Sequence, residues 1–259
     1  MRQLIILLAF VLPFRLSADC DPSFYGYQFL NPAVVEYNSQ LSPFYVYFRA
    51  YYPEVGKTEA EYRKEDNLQE WYERYCEQVD IKDLEKIIYG SSDNDLQALL
   101  RIMSRPKTKV SDLTDRLRDN TFTRHLMEYR CTEVVEYLLF AKAAEPHVGR
   151  LAAREKSQAR RVNMESLIDE GLDKFRRTKS HYIRLRYAYQ LVRLAHYLGE
   201  YAYVLELYDY LRPKIEADPS IIYHWMEGHR AGALQATGQY AESAYRFSRI
   251  FANCRSLRE

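Results

Sequence analysis

Residues 180–254 repeat themselves, and that repeat limits the folds open to the rest of the chain. Leu198-Gly199-Glu200-Tyr201 returns as Thr237-Gly238-Gln239-Tyr240, an offset of 39 residues from Gly199 to Gly238. Each copy follows one helical run and precedes another. The run before the first copy places Tyr187, Ala188, Leu191, Leu194, Ala195 and Leu198 at the i, i+3, i+4, i+7 spacing of a single apolar stripe. Glycine then ends the helix, because it takes the left-handed conformation without a Cβ clash. The following run carries Tyr201, Val204, Leu205, Tyr208 and Leu211, again on one side. Two amphipathic helices joined by a tight turn cannot bury both stripes alone, so such units stack. Helical hairpins in series are expected, and no chemistry follows from that alone.

The turn resembles that of the tetratricopeptide repeat (TPR), whose two helices meet at G-x-Y. Gly199 and Tyr201 match it in the first copy, Gly238 and Tyr240 in the second. Ala231 and Ser243 fall where that family places small residues at the helix crossing. The first copy departs there, with Val192 and Val204, and Pro213 precedes the family's terminal proline position. The repeat is also longer than the family's ~34 residues. The segment is therefore TPR-like, over about the last third of the chain. Its wording is similar to that of exported helical-repeat proteins of Bacteroidetes-type bacteria, a resemblance that brings no activity with it. The family resemblance does imply a partner surface, since the first helix of each TPR hairpin lines a concave groove. Counting from Gly199, that face carries Arg186, Tyr189, Gln190, Arg193 and His196; the second copy supplies Trp225, Gly228, His229 and Gln235.

Glycine and proline number nine each in 259 residues, which suits long helices better than a turn-rich β architecture. Tyrosine is abundant at 24 against two tryptophans, as expected where rings pack between helices with their hydroxyls at the wet edge. Net charge is +1, so no global field steers the chain to nucleic acid or membrane. The charges are segregated, with residues 54–95 acidic and residues 154–186 basic. Solvated helix faces account for that pattern, and it also suits an acidic ligand at the basic part.

Residues 1–18 read as an export signal: Arg2, an apolar run from Leu4 to Leu12, Pro13, then Leu16-Ser17-Ala18. The run is far shorter than the ~20 residues that span a bilayer. Cys20 invites a lipid anchor, but Asp19 stands where a lipobox carries a small residue, so plain export to the periplasm or beyond is the reading. Export would also put Cys20, Cys76, Cys131 and Cys254 in an oxidising compartment. Three disulfide pairings, or buried free thiols, remain open. Residues 19–58 form an irregular aromatic segment, broken by Pro22, Pro32 and Pro43 and dense in rings from Phe24 to Tyr52.

Helices are expected from there on, at 67–79, 80–90, 93–103, 111–119, 121–144 and 156–177, the last with Val162, Leu167, Ile168, Leu172 and Phe175 as its stripe. The whole is an all-α, TPR-like hairpin solenoid: a helical region over 59–179, then a repeat pair over 180–259.

His224, Glu227 and His229 suggest zinc, but the histidines lie five apart, about 140° around a helix, and do not converge. They read as ordinary helix-surface polar groups. No P-loop, dinucleotide fingerprint or nucleophile elbow is present. The chain is therefore expected to be non-catalytic, without metal or cofactor. Its expected role is a protein-binding or scaffold module whose groove of Arg186, Tyr189, Gln190, Arg193, His196, Trp225 and His229 takes an acidic or carboxylate-terminated peptide. A carbohydrate binder using the aromatic segment is the alternative, and an enzyme of unknown class the third reading.

Overall fold

The computed structural model describes residues 58–75, 79–105, 111, 113–149, 157–215 and 219–257. The expected leader over 1–18 and the aromatic segment over 19–58 lie outside them, Thr58 apart, as do Cys20 and Cys76. The described residues are all-α. They contain no strand, and their helices are α1 Glu59–Tyr75, α2 Ile81–Ile88, α3 Asp93–Met103, α4 Asp115–Arg118, α5 Thr121–Glu128, α6 Thr132–Ala144, α7 Gln158–Arg177, α8 His181–Leu198, α9 Tyr201–Leu211, α10 Ile221–Ala236 and α11 Tyr240–Asn253. None is long and apolar enough to cross a membrane.

The chain starts its helices with side chains that accept from orphan backbone N–H groups. Asp80 caps α2, Asn120 caps α5, and Ser157, Ser180 and Ser220 cap α7, α8 and α10. At α3, Ser92 and Asp95 form a reciprocal capping box. The hairpin turns are as regular. Gly199 (φ +87°) closes α8 with Gly199 N–H donating to His196 O and Glu200 N–H to Ala195 O. Gly238 (φ +82°) closes α10 with the same pair, to Gln235 O and Leu234 O. Both are Schellman turns, in which a left-handed residue lets two N–H groups satisfy the last carbonyls.

α8 is the hub. It packs against α6, α7, α9 and α10, and its side chains are buried on every face from Tyr182 to Ala195 except Arg184 and Arg193. The single stripe expected for it is therefore too narrow: this is an enclosed central helix. α10 packs on both α8 and α9, so the two hairpins stack. Ala231 and Ser243 meet at the α10–α11 crossing, where the Ser243 hydroxyl donates to Ala231 O at 2.8 Å, buried from water. α1 reaches across to α10 and to the turn at 255–257, where Arg255 pairs with Asp66 at 2.7 Å. Trp71 of α1, without solvent exposure, touches Phe122, Tyr137 and Tyr182 at centroid distances of 6.1, 6.1 and 5.5 Å, tying α5, α6 and α8 together.

Several sequence expectations are corrected. The helix expected over 121–144 is two, α5 and α6, broken at Arg130, whose φ of +50° makes a Schellman turn without glycine. The short helix starts at Asp115 after Thr114, not at Ser111, because it is a single turn closed by Leu117 on the core. α1 begins at Glu59, eight residues before Asn67, and Gly90 follows a right-handed C-cap at Tyr89 instead of supplying a left-handed one. Val162 is 51% exposed, off the buried face of α7 that Met164, Ile168 and Phe175 define. Cys131 and Cys254 are free thiols, both raised in pKa mainly by burial.

Candidate functional site

Five helices build one cleft. Arg63, Asn67 and Trp71 stand one turn apart on α1; Tyr137, Ala141 and Glu145 do the same on and just after α6. Arg186, Tyr189, Gln190 and Arg193 come from α8, and Trp225 from α10. With Ile88, Tyr89, Leu138 and Lys142 they line a cleft of about 240 Å³.

Arg186 lies at its floor, only 3% exposed. Its guanidinium sits 4.1 Å from the Trp71 ring centroid, 4.7 Å from Tyr182 and 5.9 Å from Tyr137. One Nη donates to Asn67 Oδ1 at 2.9 Å and the other to the Tyr182 hydroxyl, while Nε, buried, has no hydrogen-bond partner. No carboxylate among the described residues pairs with it. Burial pulls the pKa of this group down, but the Tyr182 and Tyr137 hydroxyls beside it more than offset that, and the guanidinium stays charged. The aromatic faces supply part of the lost hydration through cation–π contact. Burial in turn pushes the Tyr182 phenol well up, so it remains a neutral partner. Arg193, half-buried, lies 5.9 Å over the Tyr189 ring and reaches Gln190 Oε1 at 3.5 Å. With Arg63 and Lys142 the lining holds four cations against one carboxylate, Glu145.

The seven groove residues expected from sequence thus divide. Arg186, Tyr189, Gln190, Arg193 and Trp225 share the cleft. Arg186 is not a projecting surface cation, since α1 and α6 cover it. His196 and His229 do not line the cleft; they pair ring to ring at 4.9 Å between the two hairpins, and His229 backs onto Tyr189 at 5.9 Å. Burial lowers both pKa values, and for His229 the neighbouring His196, Arg193 and Arg63 push the same way. Gln235 is exposed, and Gly228 sits beneath Leu257. Of the turn residues, Tyr201 packs against His196 at 5.4 Å, whereas Tyr240 is 69% exposed.

Glu227 corrects the reading of a surface polar triad. It is a buried carboxylate bonded to the Tyr208 hydroxyl, with Arg246 Nη1 at 3.7 Å and Arg230 Nη1 at 3.9 Å, and burial raises its pKa against those cations. It braces α9, α10 and α11. No group of three metal-ligating side chains occurs among the described residues.

Sequence reasoning missed the burial of Arg186 and the far wall. Arg186 and Asn67 are 119 positions apart, and nothing local in α8 announces its lid. The signal that existed was the 63/67/71 spacing on α1, a basic, amide and aromatic series on one helix face. In comparisons with protein-family models, curated proteins and solved structures, nothing matches this chain.

Proposed function

We propose that the protein is an exported, non-catalytic binding module, TPR-like in its stacked hairpins, that receives an acidic group of a partner protein in the cleft over α8. The observation that carries this reading is Arg186: a desolvated cation at a cleft floor with no carboxylate paired to it among the described residues. An uncompensated buried charge costs several kcal/mol, and a carboxylate delivered from outside relieves it. A charge-assisted Arg–carboxylate bond is worth ~1.5–3 kcal/mol there, against ~0–1 for the exposed pairs elsewhere on the surface. The two left-handed glycine turns and the Ala231–Ser243 crossing support the TPR-like description. Export rests on the sequence of residues 1–18 alone. The carbohydrate alternative rests on a segment outside the described residues, and no feature of the cleft favours it.

The test is an array of acidic and carboxylate-terminated peptides, read with wild type and with Arg186→Lys/Arg193→Lys. Lysine keeps the charge but loses the planar fork. A loss of tenfold or more in affinity is expected. Equal binding by both proteins would reduce the effect to diffuse charge, and binding by neither would remove the peptide reading.

A further inference from the structure

Exposure falls steeply from the mouth of the cleft to its floor. Tyr89 and Glu145 at the rim are exposed, while Trp71, Tyr137 and Arg186 at the bottom are buried. Between them the walls mix apolar surface, from Ile88, Leu138 and Ala141 to the rings of Tyr189 and Trp225, with the polar groups of Arg63, Gln190 and Arg193. The volume, about 240 Å³, lies below the ~300–1,000 Å³ of sites that enclose drug-sized ligands. A strand lying along the cleft would need more room. The guanidinium is also fixed before any ligand arrives, because Asn67 and Tyr182 hold its two Nη atoms. What is left for a ligand is the second N–H of each Nη, since the unpartnered Nε–H is itself sealed from solvent.

We propose that the cleft is entered end-on, by a single carboxylate carried on a short, flat, apolar body, with the carboxylate seated on Arg186. This deepens the function proposed above and rests on that cleft being the binding site. The same chemistry can come from two sources, the C-terminal residue of a polypeptide or a free organic acid. An acidic side chain in mid-strand fits worse, because its own backbone would have to pass the rim. Orientation follows from the same gradient. The charged end goes to the cationic floor, the ring or alkyl body lies against the mutually packed rings of Tyr189 and Trp225, and the remainder faces the rim at Lys142 and Glu145.

The chain's two tryptophans, Trp71 and Trp225, both line this cleft, so intrinsic fluorescence of the full-length mature protein reads its occupancy directly. The probes are 3-phenylpropanoate and its amide, N-acetyl-Ala-Ala-Phe with a free C-terminus and the same peptide amidated, and inorganic phosphate. Saturable change is expected with the two free acids and none with either amide. If the peptide acid binds more tightly than phenylpropanoate, the natural source is a chain terminus, and the reverse order points to a free acid. Arg186→Lys should weaken both acids at least tenfold. Should that variant fail to fold, Ala141→Phe fills the passage while leaving every cation in place, and is expected to keep the melting temperature and abolish the signal. Amides that bind as well as acids, phosphate that competes with them, or a folded Ala141→Phe that binds like wild type would each overturn the proposal. If internal acidic peptides bind while these end-bearing acids do not, end-on entry falls and the cleft reading survives. If neither class gives a signal, both fall.

Discussion

The α8–α9 and α5–α6 turns close with the same hydrogen bonds, yet only one of them is visible as a motif. At Gly199 the left-handed turn costs little, because glycine has no Cβ to meet the preceding carbonyl. At Arg130 the same turn is made at φ +50° by a residue that disfavours it, with Cys131 N–H donating to Leu126 O at 2.9 Å. What holds Arg130 there is the packing on either side: Phe122 and Leu126 of α5, and Val134, Val135 and Leu138 of α6, are all buried in the common core. A turn can therefore be specified by its own residue or imposed by what flanks it. The first kind leaves a mark in the sequence and the second does not.

The largest effect that separates the two cases is Gly199→Val. A Cβ at this glycine meets nothing within 4 Å, so the penalty is backbone strain alone. A β-branched residue forced to φ +87° should lose about 2–3 kcal/mol, several degrees in melting temperature. An unchanged melting curve would mean that flanking packing imposes this turn too, and the contrast with Arg130 would disappear.

Acid separates the regions in another way. His196 and His229 lie at the junction of the α8–α9 and α10–α11 hairpins, and the charged groups facing His229 are the cations Arg193 and Arg63. Both histidines have folded pKa values below the unfolded value near 6.5. The stability they contribute is therefore complete above that pH and is lost as pH falls below it, because the unfolded chain binds protons that the folded one refuses. Wild type should melt earlier at pH 5.5 than at pH 7.5, and His229→Gln should flatten that slope. Hydrogen exchange at pH 5.5 should rise in α10 before it rises in α5 and α6. A slope unchanged by the substitution would assign the acid loss to other groups.

The smallest effect has the opposite sign. Arg130→Gly should stabilise by about 0.5–1 kcal/mol if relief of the left-handed strain exceeds the extra entropy glycine gives the unfolded chain. Urea denaturation reads this as a higher midpoint at constant slope. A lower midpoint would show that the Arg130 side chain contributes more than its conformation costs.

The same division explains what could be read from residues alone. The start of α3 at Asp93 and the hairpin boundaries near 199 and 238 were legible because caps and glycines act within a few residues. The break at 129–131 was not, since no Gly or Pro marks it and both flanking runs are apolar at helical spacing. Along α8 the helical count placed Arg186, Tyr189, Gln190 and Arg193 on one side, and all four line the cleft. It could not say whether water or another helix lay over them. The covering residues, Asn67 and Trp71, belong to a helix whose register with α8 is set only by three-dimensional packing.

That covering has a consequence for when the cleft exists. The cleft floor is shared between α1 and α8, so it exists only while α1 is seated, and joining segments so distant in sequence costs loop-closure entropy. α1 is held through Trp71, through the Arg186–Asn67 bond, and through Arg255, which joins it to the last turn of the chain. Release of that one helix would dissolve the cleft while leaving both carboxy-terminal hairpins stacked. A ligand on Arg186 would then act as a clasp, and its binding energy would appear as slowed opening of α1, far along the sequence from the arginine it touches.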